Sequence, residues 1–249
     1  MNAPPKGLSL ARMRSLFILC MGGCLLLGCG QNGPIERPDN DLYGDLTSGA
    51  REIEVPAAPT AAPAGFDADY GGLNRTVWNK PERVISLFGD LTEKTVADIG
   101  AGTGFFSLRL AGKADKVIAI DIDPTFVTVL DSLKREKLPV SLHNRLETRL
   151  ATSDDPLLAA NEVDDIIMAN VYMYMRQRVS YLRKLRAALR PGGQILIIDF
   201  KKQALPLGPP TDIKLSAETV VTELRRAGFR DISVDNELLD YQYVILVKL

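Results

Sequence analysis

Strand-like and helix-like hydrophobic patterns alternate along residues 95–248. Short runs rich in Val, Ile and Leu predict strands, because strands buried on both faces are apolar throughout. These predicted strands are 95–99, 117–121, 164–170, 194–199, 229–234 and 241–248. One more strand is expected after the second, at either 140–142 or 147–151. Apolar residues at helical spacing predict helices at 81–88, 106–111, 124–137, 176–190 and 216–226.

This alternation of strands and helices is typical of an α/β fold. We expect a Rossmann-like, seven-stranded, mostly parallel sheet with a C-terminal antiparallel hairpin and helices on both faces. The globular domain is expected to cover residues 67–249. Near its start, Arg75 and Trp78 either cover a ligand pocket or serve as surface and packing residues, and we favour the second interpretation.

A glycine-rich turn follows the first predicted strand. That strand ends in Asp98 and continues into Gly100, Gly102 and Gly104, which let the backbone approach a ligand closely. The spacing is G-x-G-x-G, unlike the G-x-G-x-x-G of nicotinamide sites, and Asp98 would repel a pyrophosphate but suit an ammonium group. Asp121 ends the next strand, where its two oxygens can accept from both hydroxyls of a ribose. The pattern therefore predicts a nucleoside with an amino-acid tail and no phosphates.

The runs VADIGAGTG and VIAIDIDP resemble the first two motifs of the class I S-adenosylmethionine-dependent methyltransferases. The run LRPGGQILIID resembles a later motif of the same family, and the resemblance covers residues 70–249. It implies S-adenosylmethionine as the cofactor, with the three glycines against its methionine and ribose portions. By the same resemblance, Asp98 would lie near the amino group and Asp121 would bind the ribose hydroxyls.

The resemblance also implies contacts after the third and fourth strands. The family usually places an acid after strand three, against the adenine, and here Asp154 or Asp155 would serve, with the choice between them open. Asn170 ends strand four, where cofactor and acceptor would meet. We assign no catalytic base, because Asp199 and Tyr172, although within reach of the site, are each interpreted as structural.

Composition narrows the remaining possibilities. The 249 residues carry a formal net charge of −1, from which we expect no nucleic-acid partner and a small-molecule acceptor instead. All three cysteines lie in the first 30 residues and His143 is the single histidine, so we expect no metal site and no thiol nucleophile in the domain. The basic helix at 176–190 is interpreted as a solvated face, with contact to anionic lipid as the alternative.

The N-terminal segment resembles a bacterial lipoprotein signal. Basic residues precede the apolar run 16–27, and the sequence LLGC that ends at Cys29 resembles a lipobox. We predict a signal peptide at 1–28, lipidation of Cys29 and a proline-rich disordered tether at 29–66. The mature protein would be a lipoprotein anchored to a membrane on the periplasmic face, at the outer membrane if the host is Gram-negative. A cytoplasmic location is the alternative.

Together these patterns predict an S-adenosylmethionine-dependent methyltransferase that acts on a small-molecule acceptor. Two alternatives stay open. One is a non-catalytic, membrane-anchored lipoprotein that retains the fold, since export would separate the domain from a cofactor made in the cytosol. The other is a nicotinamide-dependent oxidoreductase, against which the glycine spacing, Asp98 and the expected hairpin all argue.

Overall fold

A computed structural model of the chain describes residues 75–249. The predicted signal peptide, Cys29 and the tether lie outside the described residues, as do residues 67–74 of the expected domain. Within 75–249, no helix combines the length and apolar character that crossing a membrane requires.

Seven strands of the described part form a single sheet in the order β3-β2-β1-β4-β5-β7-β6. The strands are β1 (Thr95–Ile99), β2 (Lys116–Asp121), β3 (Leu146–Leu150), β4 (Val163–Ala169), β5 (Leu189–Phe200), β6 (Asp231–Asp235) and β7 (Gln242–Lys248). The first five strands are parallel, whereas β7 is antiparallel to both β5 and β6. The predicted fold class is confirmed, and the antiparallel β7 distinguishes this sheet from the parallel sheet of a dinucleotide-binding oxidoreductase.

Helices cover both faces of the sheet. They are α1 (Arg75–Asn79), α2 (Pro81–Ile85), α3 (Ser107–Leu110), α4 (Pro124–Lys137), α5 (Arg178–Ala188) and α6 (Ala217–Ala227). On one face, α5 and α6 bury Leu182, Leu185 and Leu224 against the sheet. On the other face, Leu110 of α3 and Leu130 of α4 are buried in a second apolar layer. In open sheets that carry helices on both faces, ligands bind outside the carboxyl ends of the strands.

Two strands differ most clearly from the sequence prediction. The third strand is the 147–151 alternative, shifted by one residue, and 140–142 instead lies within a 3₁₀ helix at Val140–Arg145. The fifth strand begins at Leu189, earlier than expected, because Leu189 already pairs with Val163 of β4 before the Pro-Gly-Gly sequence. Pairing with a neighbouring strand is a tertiary contact, so the local apolar pattern could not locate either boundary.

Candidate functional site

The carboxyl ends of β1, β2 and β4 meet at one edge of the sheet. In the parallel pairing, Ile99 of β1 lies opposite Ile120 of β2 and Met168 of β4. The glycine turn follows β1, Asp121 is the last residue of β2, and Asn170 follows β4. The structure therefore brings together the groups that the sequence predicted to share one site.

The three positions of the turn require glycine for different structural reasons. All have positive φ, at 72° for Gly100, 53° for Gly102 and 81° for Gly104. A Cβ atom on Gly100 would lie 2.5 Å from Val171 Cγ2, and one on Gly104 would overlap Leu130, so packing inside the protein requires both glycines. At Gly102 the Cβ position has no heavy atom of the described residues within 4 Å. Gly102 is thus the point where bare backbone faces open space that a cofactor can occupy.

Asp121 ties the second strand to this turn. Its Oδ2 accepts from the Gly102 backbone N–H at 2.8 Å, and its Oδ1 accepts from the Asp123 backbone N–H at 3.0 Å. Each carboxylate oxygen has a further lone pair, which leaves capacity for a ribose diol. Asp121 therefore fits its predicted role and also fixes the shape of the turn.

Two exposed apolar side chains, neither of which was predicted as a site residue, lie beside Asp121. Ile122 follows it directly and is 48% exposed, while Leu150, the pairing partner of Asp121 in β3, is also 48% exposed. An apolar pair next to a ribose site offers a surface for a nucleobase. In the sequence, the position of Ile122 immediately after Asp121, the acid that ends the strand, was the feature that could have indicated this apolar surface.

Asp98 is a buried carboxyl group at the base of the site. Only 2% of the residue is exposed, and Ser107 Oγ donates to Oδ2 at 2.5 Å. Burial raises the pKa of Asp98 to about 6, although the Ser107 hydrogen bond and the positive charge of Arg75 act in the opposite direction. A buried carboxylate with so little compensation gains strongly from a cationic ligand. Asp98 therefore fits the ammonium group of S-adenosylmethionine.

Both acids proposed for the adenine contact lie in the turn after β3. Asp155 has both oxygens engaged, since Oδ2 accepts from Lys184 Nζ and Oδ1 from the Leu157 backbone N–H, each at 2.8 Å. The Lys184 hydrogen bond is the main cause of the lowered pKa of Asp155. Asp154 is exposed, and its Oδ1 accepts from Thr152 Oγ1 at 2.9 Å. The contact to adenine stays a prediction for either residue.

Tyr172 and Asp199 make contacts within the protein. Tyr172 is buried, and its hydroxyl donates to Glu223 Oε2 on α6 at 2.7 Å. Asp199 accepts from the backbone N–H groups of Met173 and Phe200, and burial raises its pKa to about 7. These contacts support the structural interpretation of both residues, and no catalytic base is assigned.

The helix α1 lies against the glycine turn. The guanidinium Cζ of Arg75 lies 4.2 Å from the ring centroid of Phe105, which directly follows Gly104. Trp78 is 6% exposed, with its ring centroid 5.6 Å from that of Phe200. Trp78 is therefore the packing residue that we expected, whereas Arg75 lies beside the site.

Exposed arginines lie on α5, on α6 and just after α6, and we call this set the arginine surface. Its exposed members are Arg183, Arg186, Arg225, Arg226 and Arg230. Arg183 Nη2 donates to the Arg226 backbone carbonyl at 3.2 Å, which links the two helices. The basic residues of 176–190 are evident in the sequence, but the arginine surface is not, because only the packing of α5 on α6 brings the two separate segments together.

Known proteins resemble both the sequence and the fold. Residues 97–195 match a family model described as a methyltransferase domain. A tRNA U34 carboxymethyltransferase of Cellvibrio japonicus is 29% identical over 124 residues, which are 49% of this chain and 37% of that protein. Its counterpart from Shewanella halifaxensis is 27% identical over 175 residues, 64% of this chain and 50% of that protein. The chain thus spans half or less of the length of these two relatives.

A solved structure resembles the described domain more completely. The S-adenosylmethionine-dependent methyltransferase of Aquifex aeolicus has a TM-score of 0.65 and 28% identity, over 71% of this chain and 93% of its own. These similarities confirm the methyltransferase class and S-adenosylmethionine as the cofactor.

One expectation is wrong. Net charge led us to exclude a nucleic-acid partner and to expect a small-molecule acceptor, yet the curated relatives are named as enzymes of tRNA. The physical reason is that a net charge of −1 averages over the whole chain, whereas nucleic acids bind to local charge. The arginine surface is such a local concentration of charge.

Proposed function

We propose that this chain, an S-adenosylmethionine-dependent methyltransferase, transfers its one-carbon group to an RNA. The observation that carries the proposal is the arginine surface. Arginine presents a planar fork of N–H donors that matches phosphate oxygens, and phosphate contacts position a nucleic acid on a protein. Four exposed arginines on two adjacent helices, together with Arg230 just after α6, suit an RNA backbone better than they suit a small neutral acceptor.

The parts of the cofactor site have separate tasks in this proposal. When bound, S-adenosylmethionine supplies a one-carbon group that its sulfonium already activates. Gly102 leaves room for it, while Asp98 and Asp121 hold its amino group and ribose. The protein then has mainly to align the acceptor and exclude water, which agrees with a site in which no base is evident among the described residues.

The tRNA relatives support an RNA acceptor through the domain that they share with this chain. The family model, which is described as a methyltransferase domain, matches residues 97–195 and so includes the glycine turn and the predicted cofactor acids. An RNA acceptor also favours the cytoplasmic alternative over an exported lipoprotein, since cofactor and RNA are both made in the cytoplasm.

The proposal is tested by incubating the purified full chain with tRNA and methyl-labelled S-adenosylmethionine. We expect label in the RNA, and the mass of the modified nucleoside identifies the group transferred. Replacing Arg183, Arg186 and Arg226 by alanine should weaken tRNA binding and reduce the slope of log affinity against log salt by roughly one for each phosphate that is no longer neutralised. Affinity for S-adenosylhomocysteine should not change.

The matched control removes three exposed charges from the opposite face of the sheet, as Lys113→Ala, Arg135→Ala and Lys137→Ala. This control should bind tRNA like the wild type. Equal losses in both triple variants would show that only total charge matters. Absence of label from RNA, together with label in small molecules of a cell extract, would contradict the proposal.

A further inference from the structure

Four side chains form a continuous row of hydrogen bonds from α1 to the end of β4, which we call the amide row. Arg75 Nε donates to Asn79 Oδ1 at 3.0 Å, and Asn79 Nδ2 donates to Gln242 Oε1 at 3.0 Å. Gln242 Nε2 in turn donates to Asn170 Oδ1. Asn79 and Gln242 are fully buried, so the row is shielded from water over most of its length.

The direction of every bond in the row follows from its first member. A guanidinium group has donors and no acceptor, so Asn79 must turn its oxygen toward Arg75 and its NH₂ group toward Gln242. Gln242 must then receive with its oxygen and donate with its NH₂ group. Asn170 receives that hydrogen with Oδ1, which leaves its own NH₂ group pointing away from the row. Reversing any single amide would place two donors or two acceptors face to face.

The amide row determines which atom Asn170 presents to the ligand site. Asn170 follows β4 directly, in a left-handed conformation with φ 60°, and its backbone N–H donates to the Ile198 carbonyl at 2.8 Å. Its Nδ2 is a buried donor with no hydrogen-bond partner among the described residues. Buried donors are normally satisfied, so this atom has an unfilled capacity at the edge where the cofactor and the acceptor meet.

We propose that Asn170 is a specificity-determining residue that donates from Nδ2 to an oxygen atom of the bound ligand. Arg75, Asn79 and Gln242 are positioning residues that keep this amide turned with its donor outward. The inference rests on the cofactor site at the glycine turn and does not depend on an RNA acceptor. The same amide turned by half a rotation would present Oδ1 and would suit an amino group instead.

The oxygen has two possible sources, the carboxylate of the cofactor or an oxygen of the acceptor. The variant Asn79→Asp distinguishes them without touching the ligand. The carboxylate introduced at position 79 would have no donor, so Gln242 would turn its NH₂ group toward it and present Oε1 to Asn170. Asn170 would then turn its own NH₂ group to Gln242 and face the ligand with Oδ1.

Binding to the full-length chain is measured by calorimetry with S-adenosylhomocysteine and with 5′-methylthioadenosine, which lacks the amino-acid tail. If the oxygen belongs to the cofactor, Asn79→Asp should bind S-adenosylhomocysteine about tenfold more weakly, as expected for a lost charge-assisted hydrogen bond, and methylthioadenosine as well as the wild type. If the oxygen belongs to the acceptor, both affinities should be unchanged while KM for tRNA in the labelling assay rises. Asn161→Asp, the same change at an exposed position, is the matched control.

A second variant separates orientation from fold stability. Asn170→Ala should show the same selective loss, and adding Asn79→Asp to it should cause no further loss, because the group being oriented is gone. The proposal is overturned if Asn170→Ala retains wild-type binding and transfer. It is equally overturned if the two losses add, or if Asn79→Asp weakens both nucleosides alike. Failure of RNA labelling alone, with these binding results intact, would reject the acceptor but not the amide row.

Discussion

Replacing the buried Asp98 by asparagine should make the protein more stable as the pH rises, relative to the wild type. The pKa of Asp98 is raised from 3.8 to about 6, mainly by burial. A carboxyl group whose pKa is higher in the folded state stabilises the fold when protonated, and loses that contribution as the pH rises through the interval between the two values. Asparagine is neutral at every pH, so it removes this loss.

The magnitude follows from the interval between the two pKa values. Each pH unit between 3.8 and about 6 is worth about 1.4 kcal/mol, so the complete loss is about 3 kcal/mol above pH 6. Between pH 5 and pH 8, the unfolding free energy of Asp98→Asn should therefore rise relative to the wild type by about 1.4 kcal/mol. The new NH₂ group also changes the unfolding free energy, but by an amount that does not depend on pH.

Urea unfolding of both proteins at pH 5 and pH 8 measures this difference, with the exposed Asp212→Asn as control. A raised pKa of Asp98 is ruled out if the difference in unfolding free energy between Asp98→Asn and wild type is the same at both pH values, or if it shrinks as the pH rises. In either case Asp98 would be ionised over the whole range and would need no cationic ligand. The same variant should lose most of its affinity for S-adenosylhomocysteine.

Three further results are expected. Asp121→Ala should weaken S-adenosylhomocysteine binding by about 1–3 kcal/mol, and a ligand without ribose hydroxyls should bind this variant no worse than the complete ligand does. Ile122→Ser should weaken binding of the same ligand by about 1 kcal/mol because less apolar area is buried. Val140→Ser should not weaken it, because Val140 is exposed but lies away from the carboxyl ends of the strands. Cys29→Ser should leave the precursor uncleaved if the lipoprotein prediction is right, and a wild-type N-terminal peptide with an unmodified Cys29 would reject that prediction.

Local sequence was sufficient for most of the fold. Apolar runs located six strands because buried parallel strands need no polar face. Asp123 is the N-terminal capping residue of α4, and Gly228 is the C-terminal capping residue of α6. The third strand stayed ambiguous, since Leu146–Leu150 is recognisable only through its pairing with β2. Register, unlike periodicity, depends on the partner strand.

The candidate site likewise has a part that could be predicted from the sequence and a part that could not. The glycine turn and Asp121 are contiguous with strand ends, so their positions follow from topology. The amide row could not be predicted, because Asn79 and Gln242 are 163 residues apart in sequence and their hydrogen bond exists only after α1 packs on β7. The arginine surface was missed for a related reason, since the net charge of the chain contains no information about which charges share a face.

Calorimetry with S-adenosylhomocysteine on wild type, Gly102→Val and Gly192→Val shows whether the cofactor binds at the glycine turn. Gly192 has the same open surroundings and a similar positive φ of 79°, compared with 53° at Gly102, but it lies at the opposite end of β5 from the site. The control variant therefore suffers comparable backbone strain without filling the site. We expect wild type and Gly192→Val to bind S-adenosylhomocysteine and Gly102→Val not to bind it. Wild-type affinity in folded Gly102→Val, or equal loss in both variants, would contradict this expectation.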